Sequence, residues 1–376
     1  MTLSAEAWIE RALAAPRAFG GAVGRGRLRV EPEDFAVEED LGWAPSGAGS
    51  HALLNVRKRN ANTEWVAREL ARAIGCRPGD VGYAGLKDRR AVTTQWFSVP
   101  MPRKPLTREG SDAVAGVVLA APDVQAKVLA DLAALRGPDF EVREAHAHAK
   151  KLPRGALAGN RFTIRIRDLD APDAQLAERL AAIARDGIPN YFGPQRFGRE
   201  GANLRKISRD INTIHPRERT YVLSAARSLV FNAVLAARVT DGTWCKLEAG
   251  DVANLDARGS VFPVDSVDDS LQARGAALDV HPTGPMWGRD ASMSRGRIQS
   301  LEQQIASEFD EPCALVIAAG MRHERRSLRL AVRELDWTRE GADWVIRFWL
   351  TRGSFATTVL RELIDTDADS GASDES

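Results

Sequence analysis

One carboxylate stands among cations between two apolar stretches that favour β-structure. Lys87, Asp88, Arg89 and Arg90 follow residues 81–84 and precede residues 96–99. Neighbouring cations favour the charged form of a carboxylate, which suits a nucleophile or a fixed base. A surface turn with solvated charges is the simpler interpretation of an isolated Lys-Asp-Arg-Arg. Because loops positioned by strands often carry catalytic groups, we favour a chemical role for Asp88.

A basic, glycine-containing loop feeds a predicted strand at residues 149–167. The alternation puts Phe162, Ile164 and Ile166 on one face. Arginines occupy the other face, where Arg165 and Arg167 fit a solvated sheet surface. Three cations beside the flexible loop fit phosphate contacts better, and they are Lys150, Lys151 and Arg154.

Residues 187–199 combine prolines and glycines, which disfavour a regular element, with three aromatic residues and two arginines, Arg196 and Arg199. Stacking surfaces together with phosphate or base donors are what single-stranded RNA recognition requires. The alternative is an ordered crossover loop whose aromatic residues, Tyr191 and Phe192, fill the core. Residues 321–326 are also basic and predict a loop that contacts RNA.

Hydrophobic periodicity places the remaining elements. Leu28 and Val30 alternate with arginines and predict a short strand that carries Arg29, followed by a second strand after Pro32. Residues 62–75 predict a capped helix, residues 224–239 a buried helix, residues 250–285 short strands and turns, and residues 294–308 a helix. A hairpin at residues 327–350 leads into a closing helix near Ser354.

The composition is that of a globular protein of 376 residues, long enough for two domains. Basic and acidic residues number 52 and 51, but residues 365–376 are an acidic tail that we expect to be disordered, which leaves a basic body suited to a nucleic-acid partner. The three cysteines lie far apart and predict neither disulfides nor a zinc site. His146 and His148 are a weak metal candidate. No signal peptide or membrane-length segment is evident, so we expect a cytoplasmic protein.

The sequence contains no P-loop, no dinucleotide-binding glycine fingerprint and no Gly-x-Ser-x-Gly motif. It resembles the TruD family of tRNA pseudouridine synthases in five stretches that follow the family's order. These are residues 32–35 with Glu39, 85–95, 155–162, 190–198 and 353–357. The resemblance spans nearly the whole chain, from about residue 26 to residue 363.

The resemblance implies an α+β fold with a mixed, largely antiparallel sheet and helices, as in pseudouridine synthases, plus an inserted α/β TRUD domain. On this sequence the catalytic domain would be discontinuous, with residues 1–185 as its first part and residues 330–364 as its final strands and helix. The inserted domain would occupy residues 186–329, and residues 365–376 would be the disordered tail.

The resemblance also implies isomerisation of uridine-13 in tRNA to pseudouridine, with no cofactor and no metal. The family's catalytic acid falls on Asp88, and the basic residue that pairs with it falls on Arg29, where some relatives have lysine. The carboxylate could attack the ribose C1′, attack the pyrimidine, or abstract the C2′ proton on a glycal route. The sequence does not choose among the three.

The other family positions imply substrate contacts. Phe162 would stack on the target base, Asn160 would hydrogen-bond near Asp88 or the base edge, and Phe355 would form another wall of the pocket. Phe35 and Lys87 are further candidates, with Lys87 as a phosphate contact, and Arg89 joins the predicted RNA-binding arginines. By residue type alone, Phe162 and Phe355 also fit core positions, and Arg29 fits a surface pair with a nearby glutamate.

Two other functions remain open at this stage. A tRNA-binding chaperone would keep the fold without catalysis, and the intact Asp88 motif disfavours it. An RNA methyltransferase is disfavoured because no glycine-rich cofactor loop follows an early strand. We expect tRNA as the partner, no membrane association, no obligatory protein partner and a monomer.

Overall fold

The computed structural model describes residues 4–13, 15–102, 104–105, 122–207, 212, 214–256 and 258–366. The helices within these residues are α1 Ala5–Leu13, α2 Thr63–Ile74, α3 Pro122–Ala133, α4 Asp173–Asp186, α5 Ala202–Arg205, α6 Pro216–Thr240, α7 Asp269–Ala276, α8 Gly296–Ser307, α9 Asp310–Ala318 and α10 Ala356–Leu363. The strands are β1 Gly24–Arg27, β2 Phe35–Asp40, β3 His51–Arg59, β4 Gly82–Tyr83, β5 Val92–Pro100, β6 Phe140–His148, β7 Gly159–Asp170, β8 Ile188–Pro189, β9 Val252–Leu255, β10 Val261–Pro263, β11 Val280–Met286, β12 Glu324–Ser327, β13 Arg329–Leu330, β14 Arg333–Glu340, β15 Asp343–Thr351 and β16 Ile364–Thr366.

The chain divides into two compact units. The sheet unit contains residues 26–169 and 333–353, and the α6 unit contains residues 1–25, 170–332 and 354–376. The divisions after residues 169 and 332 lie 16 and 3 residues from the predicted boundaries after residues 185 and 329. Residues 1–25 and 354–364, which were predicted as parts of the catalytic domain, fall in the α6 unit, and the functional subdivision stays a prediction. Most of the predicted acidic tail, residues 367–376, lies outside the described residues, whereas Asp365 belongs to β16 and pairs with Arg17 at 2.6 Å.

The sheet unit is built on strands in the order β14-β15-β7-β2-β5-β3-β6, with β4 added beside β5. Neighbouring strands run antiparallel except for β2 and β5, which run parallel. This confirms the predicted mixed, largely antiparallel sheet. The parallel pair places the end of the Asp88 loop beside the start of β2.

Helix α2 covers one face of this sheet. Val66, Leu70 and Ile74 recur at four-residue spacing and are almost fully buried against β3 and β5, as predicted. Gly75 ends the helix with φ of 75°, a left-handed conformation that glycine adopts without a Cβ penalty. The predicted cap is only partly realised, since the Asn62 side chain makes no capping hydrogen bond.

The register aligns one row of side chains across five strands. Phe348 pairs with Phe162, Phe162 with Val37, Val37 with Thr93, and Thr93 with Lys58. Because paired residues point to the same face of a sheet, all five side chains share one face. This row lies across the part of the sheet next to the Asp88 loop.

Helix α6 forms the core of the other unit, and it is longer than predicted because Pro216 begins it at the first helical position. Leu229, Val230 and Leu235 are buried as expected, and α6 packs against α1, α5, α8, α9 and β11. A second sheet in this unit has the order β10-β9-β11-β12. By length and composition α6 is the one helix among the described residues that could span a membrane, and 72% of its most apolar window is buried inside the protein.

Three local predictions were wrong. Residues 28–30 do not extend the first strand, because Arg29 has φ of 54° and Val30 is exposed. Helix α7 lies where only strands and turns were expected, and Asp268 caps it by accepting a hydrogen bond from Leu271 N. Residues 324–327 are strand β12 rather than a loop.

Candidate functional site

The Asp88 carboxylate lies in the loop between β4 and β5 and is held by one guanidinium. Arg29 Nη2 donates to Asp88 Oδ2 at 2.6 Å, and the Asp88 side chain is 51% exposed. The left-handed backbone at Arg29, with φ of 54°, is rare for a residue with a Cβ and lies two residues after the end of β1. The ζ carbon of Arg29 also lies 4.0 Å from the centre of the Phe35 ring. Arg29 is therefore bound on one side by a carboxylate and on another by an aromatic face.

A buried lysine anchors the backbone of the same loop. Lys58 is 1% exposed, and its Nζ donates to Asp88 O at 3.1 Å and to Ala61 O at 2.6 Å. Burial lowers the pKa of Lys58 to about 8, an effect that the Asp88 charge opposes and the Lys87 charge reinforces. Sequence analysis assigned no role to Lys58. Lys58 follows Leu54 and Val56 at two-residue spacing and so shares their face of β3. Because both of these residues are core residues, this spacing was the signal in the sequence that could have predicted the burial of Lys58.

Two further side chains fix the loop. Thr63 Oγ1 accepts from Lys87 N at 3.0 Å and donates to Gln95 Oε1 at 2.8 Å. Gln95 Nε2 in turn donates to Gly85 O at 3.2 Å. Both side chains are buried, so these hydrogen bonds are shielded from water. The backbone from Gly85 to Asp88 is thereby tied to α2 and β5.

The ammonium of Lys87 is buried in an ion pair. Its Nζ lies 2.7 Å from Glu39 Oε1, with side-chain exposures of 8% for Lys87 and 0% for Glu39. Glu39 Oε2 accepts a second hydrogen bond from Trp96 N at 2.9 Å. This geometry disfavours the predicted phosphate contact of Lys87, because its buried ammonium already has a carboxylate partner, and the contact stays an untested prediction. Its place in the structure is a brace between β2 and the Asp88 loop.

The aromatic residues predicted to contact substrate are placed differently from one another. Phe162 is stacked on Phe348 with ring centres 5.3 Å apart. The Phe35 ring packs edge-to-face with the Phe162 ring, with ring centres 6.3 Å apart. Phe35 and Phe162 are 3% and 7% exposed, so both contribute mainly to the core of the sheet unit. Phe355 belongs to the α6 unit, where it immediately precedes α10 and is 49% exposed.

Asn160 keeps an unused acceptor next to Glu39. It pairs with Glu39 in the β2–β7 register and is 9% exposed. Its Oδ1 is buried and accepts no hydrogen bond from the part of the chain that the structure describes. Because a buried acceptor without a donor is destabilising, such an atom is often satisfied by a ligand or by water.

Six of the predicted RNA-binding cations are exposed. In the sheet unit, Arg154 lies 3.7 Å over the Tyr83 ring, and Lys151 donates to Gly79 O. The other four of these predicted cations are Arg89 and Lys150 in the sheet unit and Arg196 and Arg199 in the α6 unit. By contrast, Arg325 in the predicted basic loop is buried in an ion pair with Glu302 at 2.7 Å and is not available to RNA.

The loop at residues 187–199 carries buried aromatic side chains as well as exposed arginines. Tyr191 is buried in the core of the α6 unit, as the crossover-loop interpretation expected, whereas Phe192 is only partly buried against that core. Phe197, to which sequence analysis gave no separate role, is also buried there. Burial raises the pKa of Tyr191 well above its ordinary value. Arg165 and Arg167 are also less free than expected, because they pair with Glu340 at 2.6 Å and Asp34 at 2.8 Å.

No group of three or more histidine, cysteine, aspartate or glutamate side chains arranged for a metal ion occurs among the described residues. The weak candidate His148 instead accepts a hydrogen bond from Ser46 N and stacks on Trp43. Burial lowers the pKa of His148.

Comparisons with known proteins agree with this fold. The sequence model of the family described as tRNA pseudouridine synthase D (TruD) matches residues 21–218 and 208–363. The chain is 43% identical over 361 residues to tRNA pseudouridine synthase D of Pseudomonas syringae pv. syringae (strain B728a), which covers 95% of this chain and 96% of that protein. It is 42% identical over 357 residues to the protein of the same name from Methylococcus capsulatus, which covers 94% of each chain.

A solved structure shows the same fold. The putative tRNA pseudouridine synthase D from Methanosarcina mazei matches with a TM-score of 0.71 at 18% sequence identity, covering 98% of this chain and 99% of that one. Given the family match and the near full-length relatives, this chain belongs to the tRNA pseudouridine synthase D (TruD) family.

Proposed function

We propose that this protein converts uridine-13 of tRNA to pseudouridine, with Asp88 as the catalytic carboxylate and without a cofactor. The observation that carries the proposal is the half-exposed Asp88 carboxylate, fixed by Arg29 at 2.6 Å on a loop whose backbone is itself anchored by buried side chains. Membership of a tRNA pseudouridine synthase family supports the substrate class.

The reaction needs no external reductant or oxidant. The bond between N1 and C1′ breaks, a bond between C5 and C1′ forms, C5 loses a proton, and the released N1 gains one. Atoms and electrons balance within the nucleotide and the solvent. A carboxylate that attacks C1′ or the pyrimidine, or that removes the C2′ proton, can start this sequence, and the proposal leaves these three routes open.

The surroundings of Asp88 suit that task. Arg29 binds Oδ2, whereas Oδ1 receives no hydrogen bond from the described residues, so one oxygen is held while the other can meet the substrate. The charged hydrogen bond from Arg29 also fixes the orientation of the carboxylate, which both nucleophilic and basic routes use. Preorganisation of this kind lowers the entropic barrier to the first bond-making step.

Substrate contacts follow from the same face of the sheet. We assign Asn160 Oδ1, the unsatisfied acceptor, to a donor of the target base. Phe35 and Phe162 would provide an apolar floor through their small exposed fractions once the uridine is flipped out of the tRNA. The substrate contact of Phe355, which belongs to the α6 unit, stays a prediction. The exposed cations Arg89, Lys150, Lys151 and Arg154 would contact tRNA phosphates. The cytoplasmic location and the monomeric state stay predictions.

The test is release of tritium from C5 of labelled uridine in unmodified tRNA transcripts, because C5 gives up its proton only when it becomes bonded to C1′. We expect release from a transcript with uridine at position 13 and none from the same transcript with cytidine there. Release from both transcripts would overturn the position, and tRNA binding without release under any condition would favour the chaperone alternative.

A further inference from the structure

The α6 unit contains a guanidinium whose charge has no carboxylate partner within the described part of the chain. Arg326 of β12 donates from Nη2 to Asn190 Oδ1 at 2.7 Å, and its Nε is buried without an acceptor. No carboxylate of the described residues lies within ion-pair distance of it. Burial, together with the nearby charge of Arg196, lowers the pKa of Arg326 to about 10. Protein charges that leave water are normally paired, so this one lacks its counter-ion.

Two other buried arginines of the α6 unit have carboxylate partners. Arg325, the preceding residue, makes two hydrogen bonds to Glu302 at 2.7 and 2.9 Å. Arg238 is paired with Asp251 at 2.9 Å, and both partners are almost fully buried. In these pairs the protein supplies the anion itself, whereas the hydrogen-bond partner of Arg326 among the described residues is the neutral Asn190 amide.

A second cation lies on the same aromatic ring. The ζ carbons of Arg326 and Arg196 lie 4.2 and 5.0 Å from the centre of the Phe192 ring. Arg196 is exposed and donates to Ser224 Oγ at 2.9 Å. Attraction to an aromatic face is weak beside the cost of burying a charge next to a like charge, so Phe192 alone does not account for the arrangement.

The ring that carries both cations is rigidly held. Asn232 of α6 accepts from Phe192 N at 3.0 Å and donates to Phe192 O at 2.9 Å. Asn190 is fixed as well, because its Nδ2 donates to Ser327 O at 2.9 Å. Arg326 on β12 and Arg196 on the loop therefore lie against a ring and beside an amide whose positions are fixed by hydrogen bonds.

We propose that Arg196 and Arg326 together bind one phosphate group of the RNA backbone beside Phe192. Guanidinium groups match phosphate oxygens in geometry and charge, and a bound phosphate would supply the missing counter-ion of Arg326 and relieve its repulsion with Arg196. The identity of the ligand as RNA rests on the proposed function, whereas the anion site rests on the geometry. The site combines Arg196 and Arg326, which come from two basic stretches about 130 residues apart in sequence. A short sequence motif does not reveal that such distant residues lie together.

The experiment measures the salt dependence of tRNA binding by the full-length protein. The wild type is compared with Arg196→Met, Arg326→Met, Arg326→Lys and the double variant Arg196→Met/Arg326→Met. Arg217→Met, which changes an exposed arginine of α6, is the matched control. Because each neutralised phosphate contributes about 0.9 to the slope of log K against log salt, we expect the double variant to lose about 1 in slope. Arg326→Lys and Arg217→Met should stay near the wild type.

Unchanged slopes in both Arg196→Met and the double variant would overturn the proposal. Arg196→Met alters an exposed side chain and keeps the test valid if Arg326→Met fails to fold. Inorganic phosphate provides the second arm. If it raises the melting temperature of the wild type but not of Arg196→Met while all tRNA slopes stay equal, the site binds small anions and the assignment to RNA is wrong. A slope loss in a protein that binds tRNA but forms no pseudouridine would leave this inference standing and refute the proposed function.

Discussion

Replacing Lys87 by methionine separates its two possible roles. Lys87 and Glu39 have side-chain exposures of 8% and 0%, and Lys87 Nζ lies 2.7 Å from Glu39 Oε1. Methionine keeps most of the length of the side chain but leaves the Glu39 carboxylate buried with one backbone donor, Trp96 N. Breaking a buried pair from one side costs about 3–5 kcal/mol of unfolding free energy. We therefore expect Lys87→Met to lower the local stability of the sheet unit by that amount.

Hydrogen exchange of the β5 amides, followed by mass spectrometry, measures this loss where it occurs. Since a chain with two compact units can unfold in more than one step, a single global transition would not isolate it. The double variant Lys87→Met/Glu39→Gln removes both charges and should recover at least about half of the loss. A loss below about 1 kcal/mol, or no recovery in the double variant, would refute the buried-pair interpretation.

The same variant tests the phosphate contact that sequence analysis assigned to Lys87. A buried lysine paired with Glu39 contributes no counterion release, so the salt slope of tRNA binding should equal that of the wild type. Arg89→Met is the matched comparison, because Arg89 lies two residues away and is exposed. We expect Arg89→Met to reduce the slope by about 1. A reduction of that size in Lys87→Met would restore the phosphate contact.

Three further predictions concern the same loop. Arg29→Lys keeps the charge beside Asp88 and should lower kcat less than about tenfold. Arg29→Met removes a charged hydrogen bond and should lower kcat by about 10- to 100-fold. Equal kcat values in the two variants would contradict the pairing of Arg29 with Asp88. Burial lowers the pKa of Lys58 to about 8 from its ordinary 10.5, so between these pH values the unfolded chain binds more protons and stability rises with pH. Denaturation should show the wild type gaining up to about 3 kcal/mol over Lys58→Met across this range, and parallel curves would refute the burial. Gly82→Ala places a Cβ 2.6 Å from Leu152 O and should lower the free energy of unfolding by about 1–3 kcal/mol. In Gly85→Ala the new Cβ lies 3.8 Å from Lys87 Nζ, so this change should be tolerated. Similar melting temperatures for the two variants would contradict this contrast.

Elements defined by local periodicity were predictable from sequence. The four-residue spacing of Val66, Leu70 and Ile74 and the glycine after them predicted α2, and alternation at Phe162 and Ile164 predicted β7. These patterns work because burial on one face follows directly from the geometry of helices and strands. The loop that carries Asp88 was predicted from the apolar stretches on its two sides, although β5 begins at Val92, earlier than the predicted apolar stretch at residues 96–99.

Features that depend on neighbours distant in sequence were not predictable. The pairing of Lys87 with Glu39 requires β2 and β5 to lie side by side in parallel, which no local pattern reports. The positive φ of Arg29 has no signal in a non-glycine residue. Arg325 and Arg326 look alike in sequence, yet one pairs with Glu302 and the other lies on Phe192, because consecutive residues of a strand point to opposite faces.

The most direct measurement of the central claim compares Asp88→Asn with the wild type in single-turnover tritium release from tRNA, with the Kd for tRNA measured in parallel. Asparagine keeps the size of the side chain and removes the charge that pairs with Arg29. Asp139→Asn, an exposed change in the same unit, is the control. We predict at least about a 100-fold loss of the rate in Asp88→Asn, a Kd within about twofold of the wild type, and no change in the control. An Asp88→Asn enzyme that still releases tritium within about tenfold of the wild-type rate would contradict the assignment of Asp88 as the catalytic carboxylate.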